Sequence, residues 1–274
     1  MKLGLLLWLL ARVAAVILIV VVALLLLLQH QLIYRPRQMS PETARARASA
    51  LGMEVLEFTT GQGPQLAYHV PSAGSDLERL WLVFSGNAQI AFDWVEFCRH
   101  HAQPGRGFLL IDYPGFGASA GAPSPVRIAD VARAALAEFR VRHPEPPRLA
   151  VFGNSLGGAA ALAAAADLGI DRVVVAACFV DMLRMARRTV GWPLHQVLRH
   201  RFDNVASLEQ LERRGARVTL LHGDRDGIIP VEQGRELAQR FPSVIEYIEI
   251  PSATHFDVLW REPEIVSRAL DADS

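Results

Sequence analysis

A serine flanked by glycines, between a strand-like and a helix-like run, constrains this sequence more than any other feature. The motif is Gly153-Asn154-Ser155-Leu156-Gly157, and it follows the apolar residues 149–152 and precedes the alanine-rich residues 159–166. Glycine is needed two residues before and after the serine, because a β-carbon there would collide with the adjoining strand and helix. The motif therefore predicts a sharp strand-to-helix turn with Ser155 exposed at the amino terminus of a helix.

Strand-like and helix-like segments alternate along most of the chain. The strand-like segments are residues 54–58, 66–70, 80–84, 108–111, 149–152, 172–176, 218–222 and 244–250. The first two alternate apolar and polar residues, as an antiparallel hairpin does, whereas several later ones are continuous apolar runs typical of parallel strands covered on both faces. The helix-like segments are residues 91–101, 126–143, 155–167, 231–240 and 263–270. This pattern predicts an α/β fold with a mostly parallel eight-stranded sheet and helices on both faces.

The amino terminus is dominated by one apolar run. Residues 3–28 are apolar apart from Arg12, and residues 13–28 contain no charged side chain, which is close to the length of a bilayer-spanning helix. Trp8 and Tyr34 lie near the two ends, as interfacial aromatic residues do. We therefore expect residues 1–34 to form a single transmembrane anchor. A removable signal peptide and a buried core helix are alternatives, but residues 24–31 offer no small-x-small cleavage site.

The remainder of the chain divides into a linker and one domain. Residues 35–52 contain Pro36 and Pro41 as breakers and are expected to form a juxtamembrane linker with about one helical turn. Residues 53–274 are expected to form the folded domain. Within it, residues 181–215 are longer than an ordinary connection and predict a small lid. Residues 181–217 contain eight arginines and four acidic residues, which suits either a solvated lid face or contact with anionic headgroups.

Composition excludes several function classes. Lys and Arg balance Asp and Glu at 28 each, so nothing indicates nucleic acid or another strongly charged partner. The two cysteines, Cys98 and Cys178, imply no disulfide framework and are expected to be small buried side chains. No H-E-x-x-H motif or paired cysteine spacing predicts a metal, and the glycines at 115 and 117 lack the partners of a nucleotide loop. We expect no cofactor.

The Ser155 motif and four further motifs resemble the α/β-hydrolase superfamily over about residues 54–270, and within it the membrane-anchored serine hydrolases with a single amino-terminal helix. The resemblance implies that Ser155 is the nucleophile and that the backbone amides of Leu156 and Asn87 form the oxyanion hole. Asn87 lies in Ser85-Gly86-Asn87, where the family usually has histidine in place of Ser85. The presence of serine at this position is expected to affect the geometry of the loop more than the catalytic reaction.

Two later motifs resemble the family's acid and histidine loops. Residues 222–230 resemble its H-G-x-x-D-x-x-V-P motif, which selects Asp226 as the catalytic acid and leaves Asp224 as the alternative. His255 follows the last predicted strand, where the family has its general base. His222 is expected to support the acid loop. Asp112, in a D-x-x-G-x-G-x-S turn, is expected to bond nearby amides and to have an architectural role.

The predicted activity is hydrolysis of an ester, thioester or related acyl bond through an acyl-enzyme intermediate, with water as the second substrate. A small-molecule or lipidic acyl donor is expected, and the fold alone does not choose between them. Two alternatives stay open, a noncatalytic scaffold or binding protein at the membrane and a serine peptidase. Basic residues flank the apolar run on both sides, so the sequence does not determine which side of the membrane the domain faces. It also does not determine the oligomeric state.

Overall fold

One mixed sheet of eight strands forms the centre of the computed structural model, which describes residues 2–74 and 76–271. The strands are β1 Glu54–Thr60, β2 Gly63–Val70, β3 Leu77–Phe84, β4 Gly105–Ile111, β5 Arg148–Asn154, β6 Arg172–Ala176, β7 Arg217–Gly223 and β8 Ile245–Ile250. Their order is β1-β2-β4-β3-β5-β6-β7-β8. The hairpin β1–β2 is antiparallel and β2 pairs antiparallel with β4, while the remaining pairs are parallel. The predicted α/β-hydrolase fold is confirmed.

Helices surround this sheet. In the described part of the chain they are α1 Lys2–Ile33, α2 Pro41–Ala50, α3 Val95–His100, α4 Pro125–Arg142, α5 Leu156–Leu168, α6 Met182–Val190, α7 Asn204–Arg213, α8 Val231–Arg240 and α9 Pro263–Asp271. The central helix α5 packs against strands β5 and β6 and against α4 and α7. Its alanines and glycines are almost all buried, and such small side chains let a helix approach the sheet closely. Both cysteines are buried and unpaired, as predicted.

Helix α1 is long and apolar enough to cross a membrane from Leu3 to Ile33. At 1.5 Å per residue such a helix extends about 46 Å. Most of it is exposed, but its last turns are partly covered by the domain. Gln29 is only 7% exposed, and Tyr34, directly after the helix, is fully buried. The carboxyl end of α1 therefore packs as part of the domain. Met1, Ser75 and residues 272–274 of the expected anchor and domain lie outside the described residues.

Residues 35–52, predicted as a linker with about one helical turn, contain the ten-residue helix α2. Pro41 begins this helix instead of breaking it, because proline is favoured in a first turn where its missing N–H has no partner to lose. Ser40 caps the helix by accepting a hydrogen bond from the amide of Thr43. Ala44 and Ala48 are buried, and the helix packs on β1. The expected linker is thus largely part of the folded domain.

Part of residues 181–215, the segment expected to form a lid, belongs to the helical layer. Helix α7, at the end of that range, buries Leu208 and Leu211 and packs on α5, so it belongs to the helical layer. The helix is buried through a hydrophobic face. The many basic residues of the segment make that face difficult to recognise in the sequence. What remains as lid is residues 181–203, which contain α6 and a short 3₁₀ turn at Leu194–Val197. The term lid is used below for residues 181–203.

Candidate active site

Ser155 lies in a strained turn between β5 and α5. Its φ is 58° and its ψ −120°, a conformation that L residues rarely adopt and that aims the side chain away from the sheet. A β-carbon on Gly153 would lie 2.1 Å from the carbonyl oxygen of Gly157. One on Gly157 would lie 2.1 Å from the carbonyl oxygen of Phe84. Only glycine at both positions lets the chain reverse this tightly while packed against β3.

The acidic residue follows β7 in a loop that packs on the histidine loop after β8. Strands β7 and β8 end side by side, with Gly223 paired to Ile250. The amide of Arg225 donates to the carbonyl oxygen of Ala253 at 2.9 Å. A β-carbon on Gly223 would lie 2.3 Å from that same carbonyl oxygen. This close packing of the two loops sets the distance between Asp226 and His255.

His255 bridges the serine and the aspartate. Its Nδ1 donates to Asp226 Oδ2 at 2.7 Å, and its Nε2 lies 3.0 Å from Ser155 Oγ, from which it accepts a hydrogen bond. The turn around it is held by Asp257, whose Oδ1 accepts from the hydroxyl of Thr254 at 2.7 Å. Residues 100 positions apart in the chain thus lie within hydrogen-bonding distance. The structure brings all three predicted residues together.

The environment of Asp226 favours its ionised form. Burial by itself would raise the pKa of this carboxyl, but hydrogen bonds from His222 and His255 and from the amide of Ile229 outweigh that effect. The result is a pKa well below the usual value. Asp226 Oδ1 also accepts from the amide of Ile228 at 2.8 Å. Asp224, the alternative acid, is exposed, so the geometry favours Asp226.

His222 supports the acid loop from behind. Its Nε2 donates to the carbonyl oxygen of Ile229 at 3.0 Å and lies 3.5 Å from Asp226 Oδ2, with both side chains fully buried. A β-carbon on Gly234 of α8 would lie 2.5 Å from His222 Nδ1, so the imidazole is closely packed against that helix. His222 therefore orients the carboxylate and is separate from the histidine that reaches the serine.

The loop after β3 packs against the serine turn. A β-carbon on Gly86 would lie 3.3 Å from the carbonyl oxygen of Asn154. The hydroxyl of Tyr113 donates to the carbonyl oxygen of Ser85 at 2.7 Å, and the amide of Gly86 donates to Gln89 Oε1 at 3.0 Å. These contacts hold the loop where histidine is usual in place of Ser85. The amides of Leu156 and Asn87 consequently belong to adjoining segments, and their role as oxyanion donors remains a prediction.

Two contacts join the end of α1 and the segment after it to the rest of the domain. Asn87 Oδ1 accepts from the amide of Arg35 at 3.0 Å, which joins the segment after α1 to the predicted oxyanion loop. Gln29 Oε1 accepts from the amides of Arg199 at 2.7 Å and His200 at 3.3 Å, which joins α1 to the lid. Sequence reasoning missed both contacts. The signal for Gln29 was its place in the polar stretch Gln29-His30-Gln31 near the end of the apolar run.

Comparison with known proteins agrees with this architecture. A model of the α/β hydrolase family matches residues 69–213. An uncharacterised protein of Mycobacterium tuberculosis is 28% identical over 232 residues, which cover 84% of this chain and 81% of that protein. The alpha/beta hydrolase domain-containing protein 17C of Xenopus laevis is 26% identical over 218 residues, covering 75% of this chain and 65% of its own length. A Pyrococcus furiosus esterase structure superposes with a TM-score of 0.65 at 16% identity, covering 87% of this chain and 95% of the esterase. At that identity the likeness concerns the fold.

Proposed function

Because this chain belongs to the α/β-hydrolase family, we propose that it is a serine hydrolase that cleaves an ester, thioester or related acyl bond. The observation that carries the proposal is the hydrogen-bonded series from Ser155 Oγ through His255 to Asp226. A serine hydroxyl is almost wholly protonated at neutral pH and needs such a neighbouring base to become a nucleophile. The proposed class is therefore acyl transfer to water.

In the proposed mechanism, Ser155 Oγ attacks the carbonyl carbon of the substrate while His255 Nε2 accepts the serine proton. The imidazolium returns this proton to the leaving group as the tetrahedral intermediate collapses to an acyl-enzyme. Water then attacks the acyl carbon while His255 Nε2 accepts its proton, and the imidazolium returns that proton to Ser155 Oγ as the second tetrahedral intermediate collapses and the acid is released. Asp226 keeps Nδ1 protonated and stabilises the positive charge that forms twice in each cycle.

The amides of Leu156 and Asn87 are the proposed donors to the developing oxyanion. Leu156 begins helix α5, so the partial positive charge at the helix amino terminus adds to its hydrogen bond. The loop bearing Asn87 is held by the bond from Tyr113 to Ser85 and by the bond from Arg35 to the Asn87 side chain. A donor fixed before the reaction requires little reorganisation when charge develops, which is the physical basis of its contribution.

Helix α1 is the proposed membrane anchor. Its exposed apolar surface from Leu3 onward would be unfavourable in water and suits a lipid environment. The burial of Gln29 and Tyr34 in the domain favours a retained helix over a removable signal sequence. This reading gives one membrane-spanning helix joined directly to the catalytic domain.

The position of the anchor favours a lipidic acyl substrate over a fully soluble one. The end of α1 contacts the lid at the 3₁₀ turn Leu194–Val197, and the lid carries Trp192, whose side chain is 73% exposed. Phe256, directly after the proposed general base, is 82% exposed. Tryptophan is enriched where a protein meets the membrane–water interface, and Trp192 lies in the segment that the end of α1 contacts. The proposed substrate therefore presents an acyl chain from the bilayer surface.

Labelling by a fluorophosphonate probe tests the proposed nucleophile. The full-length protein in detergent is expected to react stoichiometrically, and the Ser155→Ala variant is expected to show no labelling. Ser243→Ala, which alters an exposed serine after α8, serves as the matched control and should label like the wild type. Absence of labelling in folded wild type, or equal labelling of Ser155→Ala, would instead favour the noncatalytic scaffold. Parallel assays with acyl esters and peptide amides separate the esterase from the peptidase alternative.

A further inference from the structure

Two histidines and a glutamate converge at the hairpin side of the sheet, apart from the proposed active site. Glu54 begins β1 and is directly opposite His69 of β2 in the antiparallel register, so the two side chains share a face. His143 is the residue that caps the carboxyl end of α4, which packs on β1 and β2. The three residues thus come from three separate elements that meet at one place.

Their potential ligand atoms face one another. Glu54 Oε2 lies 3.2 Å from His69 Nδ1 and 2.8 Å from His143 Nε2. All three atoms lie within 4.8 Å of one another. Ligand atoms bound to one first-row metal ion, at about 2.0–2.2 Å each, are separated by about 3 to 4 Å. Small side-chain adjustments would therefore bring this set to coordination geometry.

The surrounding contacts hold this arrangement in place. The ring of His143 stacks on that of Phe139 with centroids 4.3 Å apart, and the ring of His69 meets Phe139 edge-on at 5.0 Å. Arg142 donates to Glu54 Oε1 at 3.4 Å and to the carbonyl oxygen of Val55 at 2.9 Å. Since Arg142 occupies one carboxylate oxygen, the other is directed at the imidazoles. Such outer contacts orient metal ligands in known sites.

The accessibility of this cluster also suits a cation. The side chains of Glu54 and His143 are about one third exposed, at 33% and 34%, so an ion has a path from solvent, while His69 is buried.

We propose that Glu54, His69 and His143 form a binding site for a divalent first-row cation such as Zn²⁺. Two imidazole nitrogens and one carboxylate oxygen are a ligand set that zinc accepts, with water in the fourth position. The bound ion would replace the two imidazole-to-carboxylate hydrogen bonds and would join β1, β2 and α4. The chemistry of the donor set favours zinc, nickel, cobalt or copper over magnesium or calcium, which prefer all-oxygen sites.

This site is independent of hydrolysis. His69 lies on β2, where it pairs with Leu109 of β4, and two strands, β4 and β3, separate β2 from β5 in the sheet. Ser155 follows the carboxyl end of β5. The proposed role of the ion is therefore structural. If the protein binds no metal at this site, the proposal of a serine hydrolase is unaffected. If the protein has no hydrolase activity, the proposal of a metal site is likewise unaffected.

Titration of the metal-stripped full-length protein in detergent tests this proposal. With Zn²⁺ in calorimetry, we expect one ion per chain bound at the site, and with Co²⁺ a visible absorption band of low-symmetry nitrogen and oxygen coordination. Zinc at 100 times its Kd should raise the Tm by about 5 °C, because a ligand that binds only the folded state stabilises it. Ester hydrolysis should be the same with and without the chelator.

The variants His143→Gln and Glu54→Gln should each weaken Co²⁺ and Zn²⁺ binding at least tenfold and remove the Tm increase. Both positions are partly exposed, so both variants are expected to fold, and the Tm without metal checks this. His100→Gln, at an exposed histidine of α3, is the matched control and should bind like the wild type. Absence of stoichiometric binding in the wild type, or unchanged affinity in both site variants, would overturn the proposal. If neither variant folds, the stoichiometry and the Co²⁺ spectrum of the wild type decide.

Discussion

Asp226 stays ionised in a buried position because its carboxylate is surrounded by donors. One oxygen accepts from the amides of Ile228 and Ile229 at 2.8 Å each, and the other accepts from His255 at 2.7 Å. Hydrogen bonds to the charged form of an acid outweigh the cost of burial when they are this numerous. The same bonds fix the tautomer of His255, since Nδ1 must carry the proton that Asp226 accepts and Nε2 is left free to accept from Ser155.

Replacing Asp226 by asparagine should lower kcat for ester hydrolysis by about 10³- to 10⁴-fold. An asparagine can present N–H to the imidazole, which favours the tautomer with a proton on Nε2 and removes the base from Ser155. Asp224→Asn, at the exposed aspartate of the same loop, is the control and should retain near wild-type kcat. Steady-state kinetics with a chromogenic acyl ester measures both. An equally large loss in Asp224→Asn would reverse the assignment of the acid.

Asp112 is a buried carboxyl whose protonated form is favoured, in contrast to Asp226. Burial raises its pKa to about 7, and the charge of Asp93 acts in the same direction, while a hydrogen bond from the amide of Ala91 at 2.8 Å opposes the change. The bond from Ala91 is the architectural role predicted for this residue. Because the folded state holds this proton more tightly than the unfolded chain, the contribution of Asp112 to stability is largest at low pH and is lost as pH rises between about 4 and 7.

Asp112→Asn should remove this pH-dependent loss. A pKa of about 7 in place of 3.8 corresponds to at most about 4 kcal/mol of unfolding free energy at pH 8. Relative to the wild type, the variant should gain about 2 to 3 kcal/mol more at pH 8 than at pH 5. Denaturant unfolding of both proteins at pH 5 and at pH 8 measures this. The difference between variant and wild type at each pH removes the contribution of the other titrating groups. A constant difference between variant and wild type would show that Asp112 does not titrate in this range.

At the scale of elements, the junction between β5 and α5 combines strain with close packing. The backbone of Ser155 has positive φ, and the helix that follows begins within contact distance of the carbonyl oxygens of Phe84 and Ser85. A strained conformation persists only where surrounding contacts determine it. The strand on one side and the alanine-rich helix on the other supply those contacts, so the serine is presented at one defined position.

Gly157→Ala should destabilise the protein by about 3 kcal/mol and abolish fluorophosphonate labelling. The new β-carbon would lie 2.1 Å from the backbone oxygen of Phe84, so the strand or helix must move. Gly158→Ala is the matched control, since its β-carbon would be 3.5 Å from the nearest atom, Cys178 Sγ, at ordinary contact distance. Calorimetry and labelling of both variants check the expectation, which a wild-type Tm in Gly157→Ala would contradict.

At the scale of the whole molecule, the proposed anchor and the domain are one continuous structure. The carboxyl end of α1 contributes Gln29 to the lid and the next residues contribute Tyr34 to the core. Beyond them, the backbone of Arg37 and Met39 bonds to Gly117, in the turn after β4. The segment that leaves the helix is thereby attached to both the lid and the sheet. The position of the helix relative to the proposed site is consequently fixed by packing.

Two truncations separate the anchor from the packed end of α1. Removal of residues 1–27 should give a soluble protein that retains hydrolysis of short acyl esters. Removal of residues 1–34 also deletes buried Tyr34, and loss of a buried aromatic side chain costs about 3 kcal/mol or more. We expect a correspondingly lower Tm for the second protein. Equal Tm values would mean that residues 28–34 do not stabilise the domain. If the protein without residues 1–27 were insoluble, an exposed apolar surface would have to exist outside those residues.

Much of this protein is determined by local sequence. Alternating residues in the first hairpin and apolar runs in the later strands predict all eight strands to within a few residues, because covered parallel strands need continuous hydrophobic side chains. The glycines around Ser155 predict the turn, since their steric requirement acts over five residues. The family resemblance also indicated Asp226 and His255, and their positions after the last two strands follow from the order of the sheet. At residues 35–52 the prediction was wrong in extent, because Pro41 starts a helix whose stability depends on burying Ala44 and Ala48 against β1.

Other properties exist only in the tertiary structure. Glu54 contacts His69 because the strand register places the two residues opposite each other. His143 joins them because α4 ends at that place over the sheet. The contacts of Gln29 with the lid and of Arg35 with Asn87 join residues that no short-range pattern relates. The sequence by itself determined the elements and the proposed chemistry, because these depend on steric and hydrophobic requirements of neighbouring residues. Only folding decided the distances between distant side chains, because those distances depend on how every element packs.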